Sequence, residues 1–137
     1  MTASPLTPPP PGWHVVDVPH SDEAARRTCD VVRGALEALG LPTPVLNDAV
    51  IVAGELVINA VEHGAPGPGD QIELAWSVDP SHVVLRVTDG GAGPAITVQP
   101  VSDDGLRGRG LAMVAAICDD WSVTRSTGTT VTARIAL

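Results

Sequence analysis

Apolar positions recur along the chain with two different periods, and the switch between them divides it into elements. Trp13–Pro19 (WHVVDVP) is a short apolar run that reads as a strand. After the capping pair Ser21–Asp22, a stripe of Ala24, Ala25, Thr28, Val31, Val32, Ala35, Leu36 and Leu39 repeats at helical spacing up to Gly40. This predicts an amphipathic helix with a start and a stop signal. Beyond LPTP, a second helix is predicted from about Pro44, a favourable first-turn proline, to His63, with Gly64 as its C-terminal glycine. It is apolar around most of its circumference, which makes it the helix to bury.

The period then changes to two. Gln71–Asp79 alternates Ile72, Leu74 and Trp76 with Glu73, Ala75 and Ser77; Pro80–His82 turns the chain, and Val83–Asp89 follows as the second arm of a hairpin. A glycine- and proline-rich connection carries no confident element until a short helix over LAMVAAICD, opening at Gly110. Two last strands flank Gly128, and Thr129, Val131, Ala133 and Ile135 share one face of the second. Helices grouped apart from antiparallel hairpins predict an α+β two-layer sandwich, with the helices on one face of a mixed, mostly antiparallel sheet. A doubly wound sheet would need strands and helices to alternate, and they do not. One domain over residues 13–137 accounts for the chain, and residues 1–12, with five of the thirteen prolines, read as a disordered or polyproline-like tail.

Composition narrows the function classes. The chain has three Trp and neither Phe nor Tyr, so Val, Leu, Ile and Ala must fill its core. The net charge is −8 and every basic residue is Arg. An acidic chain without a basic patch is a poor nucleic-acid binder, and the absence of Lys excludes a lysine-dependent phosphate loop. Cys29 and Cys118 share no metal-ligand spacing and read as reduced core residues, which points to a cytoplasmic protein. No signal peptide and no 18-residue apolar run for a membrane span is recognised.

The chemistry concentrates in VAGELVINAVEHGA. At about 100° per residue, Asp48, Glu55, Asn59, Glu62 and His63 fall on one narrow stripe of the second helix. A stripe of this kind is either the solvent-facing side or a site. An amide and a carboxylate one turn apart suit a site, because Asn oxygen is a hard ligand for Mg²⁺ and Glu can accept a proton. Glu62 reads as solvated or structural, and His63 as either a helix-end residue or a ligand contact. Downstream, TDGGAG sets Asp89 at a strand end beside glycines 90, 91 and 93, where a flat or anionic ligand could approach the backbone. GLRGRGLAMV places Gly108 and Gly110 at a helix N-terminus, which favours phosphate, with Arg107 and Arg109 adding charge. In this order the parts describe a mononucleotide site.

The segments ELVINAVEHG, DGGAG, GRGLAMV and GTTV resemble, in order and spacing, the four boxes of the histidine-kinase-like ATPase superfamily, which includes gyrase- and chaperone-type ATPases. The short length and the E-x-x-x-N-A-x-x-H and GRGL forms are most similar to its anti-sigma-factor serine/threonine kinase branch. The resemblance implies an ATP-binding sandwich in which Asn59 ligates Mg²⁺ and Glu55 acts as general base. It implies that Asp89 accepts a hydrogen bond from the adenine amino group and that Thr129 helps hold the adenine. Gly91 and Gly93, then Arg107, Gly108, Arg109, Gly110 and Leu111, fall in the nucleotide-contacting boxes. It further implies an antagonist protein as phosphoacceptor, a sigma factor as alternative partner, and a homodimer. The proline-broken segment between Gly93 and Gly108 is shorter than gyrase-type lids. No upstream helix with a phosphoacceptor His is recognised, so a self-contained sensor histidine kinase is not expected. Two other readings are a nucleotide-binding module that sequesters a partner without catalysis, and a metal-dependent hydrolase built on His63, Glu55 and Asp89.

Overall fold

The computed structural model describes residues 12–91, 106–125 and 128–137, with residues 106–111 by their backbone alone. The predicted tail (except Gly12) and Gly93 lie outside the described residues. The element order is β1 (Trp13–Pro19), α1 (Ala24–Ala38), α2 (Thr43–His63), a 3-10 turn (Pro68–Asp70), β2 (Gln71–Val78), β3 (His82–Asp89), α3 (Leu106–Ile117), β4 (Asp120–Arg125) and β5 (Thr129–Ala136). The strands form one open sheet in the order β1-β2-β3-β5-β4. All four pairings are antiparallel, so the expected mixed sheet is antiparallel throughout its described strands.

Period-two patterning decides which face of the sheet is covered. Ile72, Leu74, Trp76, Val83, Leu85, Val87, Val131, Ala133 and Ile135 all turn inward and are buried. The helices cover this face, with α2 in the middle of the layer: it packs against α1, α3, β2, β3 and β5. Each fully buried Leu or Val in this layer contributes about 1.5–3 kcal/mol relative to an exposed one. The other face carries Glu73, Ser77, Thr88, Thr130, Thr132 and Arg134. At its β1 edge the Arg86 guanidinium lies 4.5 Å from the Trp13 ring centre, and on the inner face His14 stacks on Trp76 at 5.6 Å.

Several boundaries differ from the sequence reading. Helix α1 starts two residues after Asp22; its N-cap is Glu23, without a side-chain cap bond. Ser21 instead builds the preceding turn, its carbonyl accepting the Ala24 N–H at 3.0 Å. Leu39 was expected on the buried stripe but is 56% exposed, because the helix has ended and its residue is the C-cap. Helix α3 begins at Leu106 rather than Gly110, so Gly108 lies in its first turn and Gly110 inside it. It ends at Ile117, leaving Cys118 between helix and strand.

Helix α2 also corrects the statement that no apolar run could span a membrane. At 21 residues it is long and apolar enough by composition alone. Its burial against both neighbouring helices and the sheet accounts for that hydropathy as a core helix.

Candidate functional site

The polar stripe of α2 does not face one environment. Asn59 is 8% exposed and turns into the protein, whereas the Glu62 side chain is 60% exposed. Glu55 lies between them, half-buried. Helical phase explains the division: relative to Glu55, Asn59 is rotated about 40° one way and Glu62 about 20° the other. The exposed edge is shared with Ile51 and Ile58, so the outer face of α2 is apolar as well as acidic.

Burial, and then the nearby Glu62 carboxylate, push the Glu55 carboxyl above its ordinary range. Desolvation and a like charge both disfavour the ionised form. The result is a more basic carboxylate than a free glutamate. The His63 imidazole stands 3.9 Å from Glu62, at the helix end.

Asp89 ends β3 and is 4% exposed. A buried carboxylate is costly unless it is hydrogen-bonded. Its Oδ1 accepts the Gly91 N–H at 2.7 Å, a charge-assisted bond of about 1.5–3 kcal/mol. The Thr129 hydroxyl, also buried, donates to the Gly91 carbonyl at 3.0 Å. Asp89 and Thr129 are register partners at the ends of β3 and β5, which explains why residues forty apart in sequence meet. The Gly90 N–H donates to the Ala65 carbonyl at 2.8 Å and ties this corner to the chain leaving α2.

Asp89, Gly91 and Thr129 are thus brought together. Glu55 and Asn59 lie along α2, about 13.5 Å and about 7.5 Å from Gly64 at 1.5 Å per residue. Arg107, Gly108, Arg109 and Gly110 fall in the first turns of α3, with Leu111 next along the helix. The free N–H groups of that helix therefore belong to the residues around Leu106–Gly108, earlier than expected.

Gly90 was expected to admit a ligand, but the space beside it is filled by the protein. A Cβ there would strike the Pro66 carbonyl and, at 2.8 Å, Gly67 Cα. Gly64 and Gly128 are close neighbours of Asp89 that sequence reasoning did not assign to the site. GTTV signals Gly128 only as a turn, and Gly64 reads as a helix stop. Among the described residues no group of three His, Cys, Asp or Glu side chains is placed to hold a metal, which removes the geometric basis for a hydrolase on His63, Glu55 and Asp89. Burial and the carboxylates Asp119, Asp120 and Asp48 push the Cys118 thiol up to about 11. Cys29 is raised as well, chiefly by burial, and both thiols are free.

Comparison with known proteins fits this layout. Residues 18–135 match the family described as histidine kinase-like ATPase domain, and the chain belongs to it. Among solved structures, the RsbU and RsbW domains of a Mycobacterium tuberculosis protein share 23% identity and a TM-score of 0.67, over 90% of this chain and 31% of that one. The chain therefore spans about a third of that protein's length. The SiaB–SiaC complex of Pseudomonas aeruginosa gives 14% identity and a TM-score of 0.59, over 90% of this chain and 89% of that one. Likenesses at these identities establish the fold. No curated protein sequence matches the chain.

Proposed function

We propose that this protein is an ATP- and Mg²⁺-dependent serine/threonine kinase of the anti-sigma-factor type, acting on a small antagonist protein. The observation that carries the reading is the buried Asp89 carboxylate. One of its oxygens is tied to Gly91 and the other stands beside Gly64 at the end of α2, in a domain of ATPase family. An ionised carboxylate accepts hydrogen bonds and donates none, so it selects a base that presents an amino group, as adenine does. Thr129 supports the same corner by fixing the Gly91 carbonyl.

The remaining residues take roles that their positions allow. Asn59 offers the hard oxygen that Mg²⁺ takes, and the triphosphate would supply the other oxygens. The cation would neutralise charge that builds on the phosphates. The first turn of α3, with Arg107, Gly108, Arg109 and Gly110, would receive the phosphates at its free N–H groups. Glu55 accepts the proton of an acceptor Ser or Thr hydroxyl as that oxygen bonds to the γ-phosphorus and ADP leaves. Its raised proton affinity suits a general base, and its half-exposed place leaves it open to a hydroxyl from another protein. Catalysis of this kind consists largely of positioning and electrostatics.

The partner class draws on the sequence resemblance and on the solution of SiaB as a complex with SiaC. A sigma factor as alternative partner and a homodimer belong to the same reading, and two free thiols suit a cytoplasmic setting. The test is transfer of labelled γ-phosphoryl from ATP with Mg²⁺ to candidate antagonist proteins. The wild type labels a Ser or Thr, and Glu55→Ala binds ADP but labels nothing. Undiminished labelling by Glu55→Ala removes Glu55 from the reaction; ADP binding without any labelling by the wild type favours a sequestering module.

A further inference from the structure

Helix α2 ends on a glycine that its backbone conformation does not require. Gly64 adopts φ −94° and ψ −166°, an extended conformation open to any residue. The left-handed turn that usually places glycine after a helix is therefore not the reason for it. Space is. A Cβ on Gly64 would strike Oδ2 of Asp89, would come within 2.5 Å of its Cγ, and would lie 2.7 Å from the Ala60 carbonyl oxygen. Real Cβ atoms do not tolerate such separations.

The carboxylate has little freedom to retreat. Its Oδ1 is held by the Gly91 N–H at 2.7 Å, and Gly91 is held in turn by Thr129. Gly91 offers no slack, since a Cβ there would already lie 3.0 Å from Oδ1 and 3.1 Å from the Ala65 nitrogen. On the main-chain side Gly128 closes over the same residue: a Cβ at position 128 would strike the Asp89 carbonyl oxygen. Asp89 is thus enclosed by backbone from two other segments, the end of α2 and the turn before β5.

We infer that Gly64 is a positioning residue of the nucleotide site, whose missing side chain is what lets Oδ2 of Asp89 stand against the end of α2. The inference rests on the assignment of Asp89 to the base given above. Because α2 also carries Asn59 and Glu55, the contact at Gly64 sets the distance between the base-reading carboxylate and the residues assigned to Mg²⁺ and to the acceptor. A side chain at 64 must either rotate the carboxylate, breaking its bond to Gly91, or lever the end of α2 away from β3. Base recognition suffers in both cases, whereas phosphate binding at α3 is spared.

The test uses the full chain as wild type, Gly64→Ala, Asp89→Ala and the double variant. Calorimetry with ADP and with inorganic triphosphate reads the site; the Gly91 amide resonance of the nucleotide-free protein reads the carboxylate. Gly64→Ala weakens ADP binding about tenfold, the effect of losing a hydrogen bond to a charged group, leaves triphosphate binding unchanged, and shifts the Gly91 amide. In the Asp89→Ala background the same substitution lowers the thermal midpoint less than it does in the wild type, because one obstacle has gone. Should Gly64→Ala not fold, recovery of cooperative unfolding in the double variant supports the inference, and a double variant that stays unfolded overturns it. An equal midpoint loss in both backgrounds overturns it too, since the Ala60 carbonyl is then the whole obstacle. So does an unshifted Gly91 amide. If the wild type binds no ADP, the assignment of Asp89 to a base fails, while the Gly91 shift and the thermal cycle still decide whether Gly64 positions the carboxylate.

Discussion

The candidate site has two ends along α2, built by different means. Beside the C-terminal end of α2, Asp89 of β3 is buried, hydrogen-bonded by Gly91 and enclosed by backbone at Gly64 and Gly128. Two and a half turns earlier, Glu55 is half-buried, raised in proton affinity by desolvation and Glu62, and bordered by the exposed side chains of Ile51 and Ile58. The first end is closed and fixed by contacts too tight for a side chain. The second is open to solvent, with Ile51 and Ile58 exposed beside it. Recognition of a small rigid base benefits from preorganisation; transfer to another protein requires access. In the proposed function, β3 and the end of α2 would serve the first and the outward phase of α2 the second.

That contrast can be attacked at either end. The largest effect is expected at the closed end. Asp89→Asn keeps an oxygen for Gly91 but turns the other into a donor, so ADP affinity falls by about a hundredfold, the upper range for a hydrogen bond to a charged group. Calorimetry checks this, and a loss below about threefold would refute the closed-end reading. Thr129→Val removes the hydroxyl that holds the Gly91 carbonyl. It should cost about 1 kcal/mol of stability, read by urea unfolding, and weaken ADP binding by only a few-fold, about fivefold at most.

At the open end the expected effects on stability are smaller and depend on pH. The folded-state proton affinity of Glu55 is raised, so the favourable state is the protonated one. Its contribution is complete below the unfolded carboxyl range near about pH 4, and is lost as pH rises through the folded value. Glu55→Gln therefore raises the thermal midpoint at pH 7–8 and leaves it unchanged below about pH 4. A gain that persists undiminished in acid would rule out ionisation as its cause. The smallest change is Glu62→Gln, which removes the secondary, like-charge contribution and lowers the Glu55 proton affinity only in part. A carboxyl titration followed by NMR distinguishes this from no change.

Much of this layout was legible in the sequence because period and punctuation are local properties. The alternation of Ile72, Leu74 and Trp76, and of Thr129, Val131, Ala133 and Ile135, fixed the inner face of the sheet residue by residue, and all seven are buried. The near-complete apolar circumference of α2 marked it as the buried helix, which its packing against five other elements bears out. Helix ends were less legible. The start of α3 was placed four residues late, since two glycines in its first turns argued against helix. Leu39 passed for a core residue because periodicity does not stop where a helix does.

The four boxes led to the family by themselves, and residues 18–135 belong to it. Their spacing could not say which atoms meet. Gly90 and Gly64 carried plausible local explanations, ligand approach in one case and a helix stop in the other. Both proved to be matters of space between distant segments: Gly90 against Pro66 and Gly67, Gly64 against Asp89.

The sequence by itself therefore determined the class of fold, the faces of its strands, the buried helix and the family, all of which follow from periodicity and short motifs along one chain. Only the tertiary structure decided that Asn59 turns inward while Glu62 turns out, that Thr129 reaches Gly91, and that Gly64 makes room for Asp89. Those outcomes depend on small rotations and on separations of a few ångströms between segments far apart in sequence. A one-dimensional pattern carries no such distances.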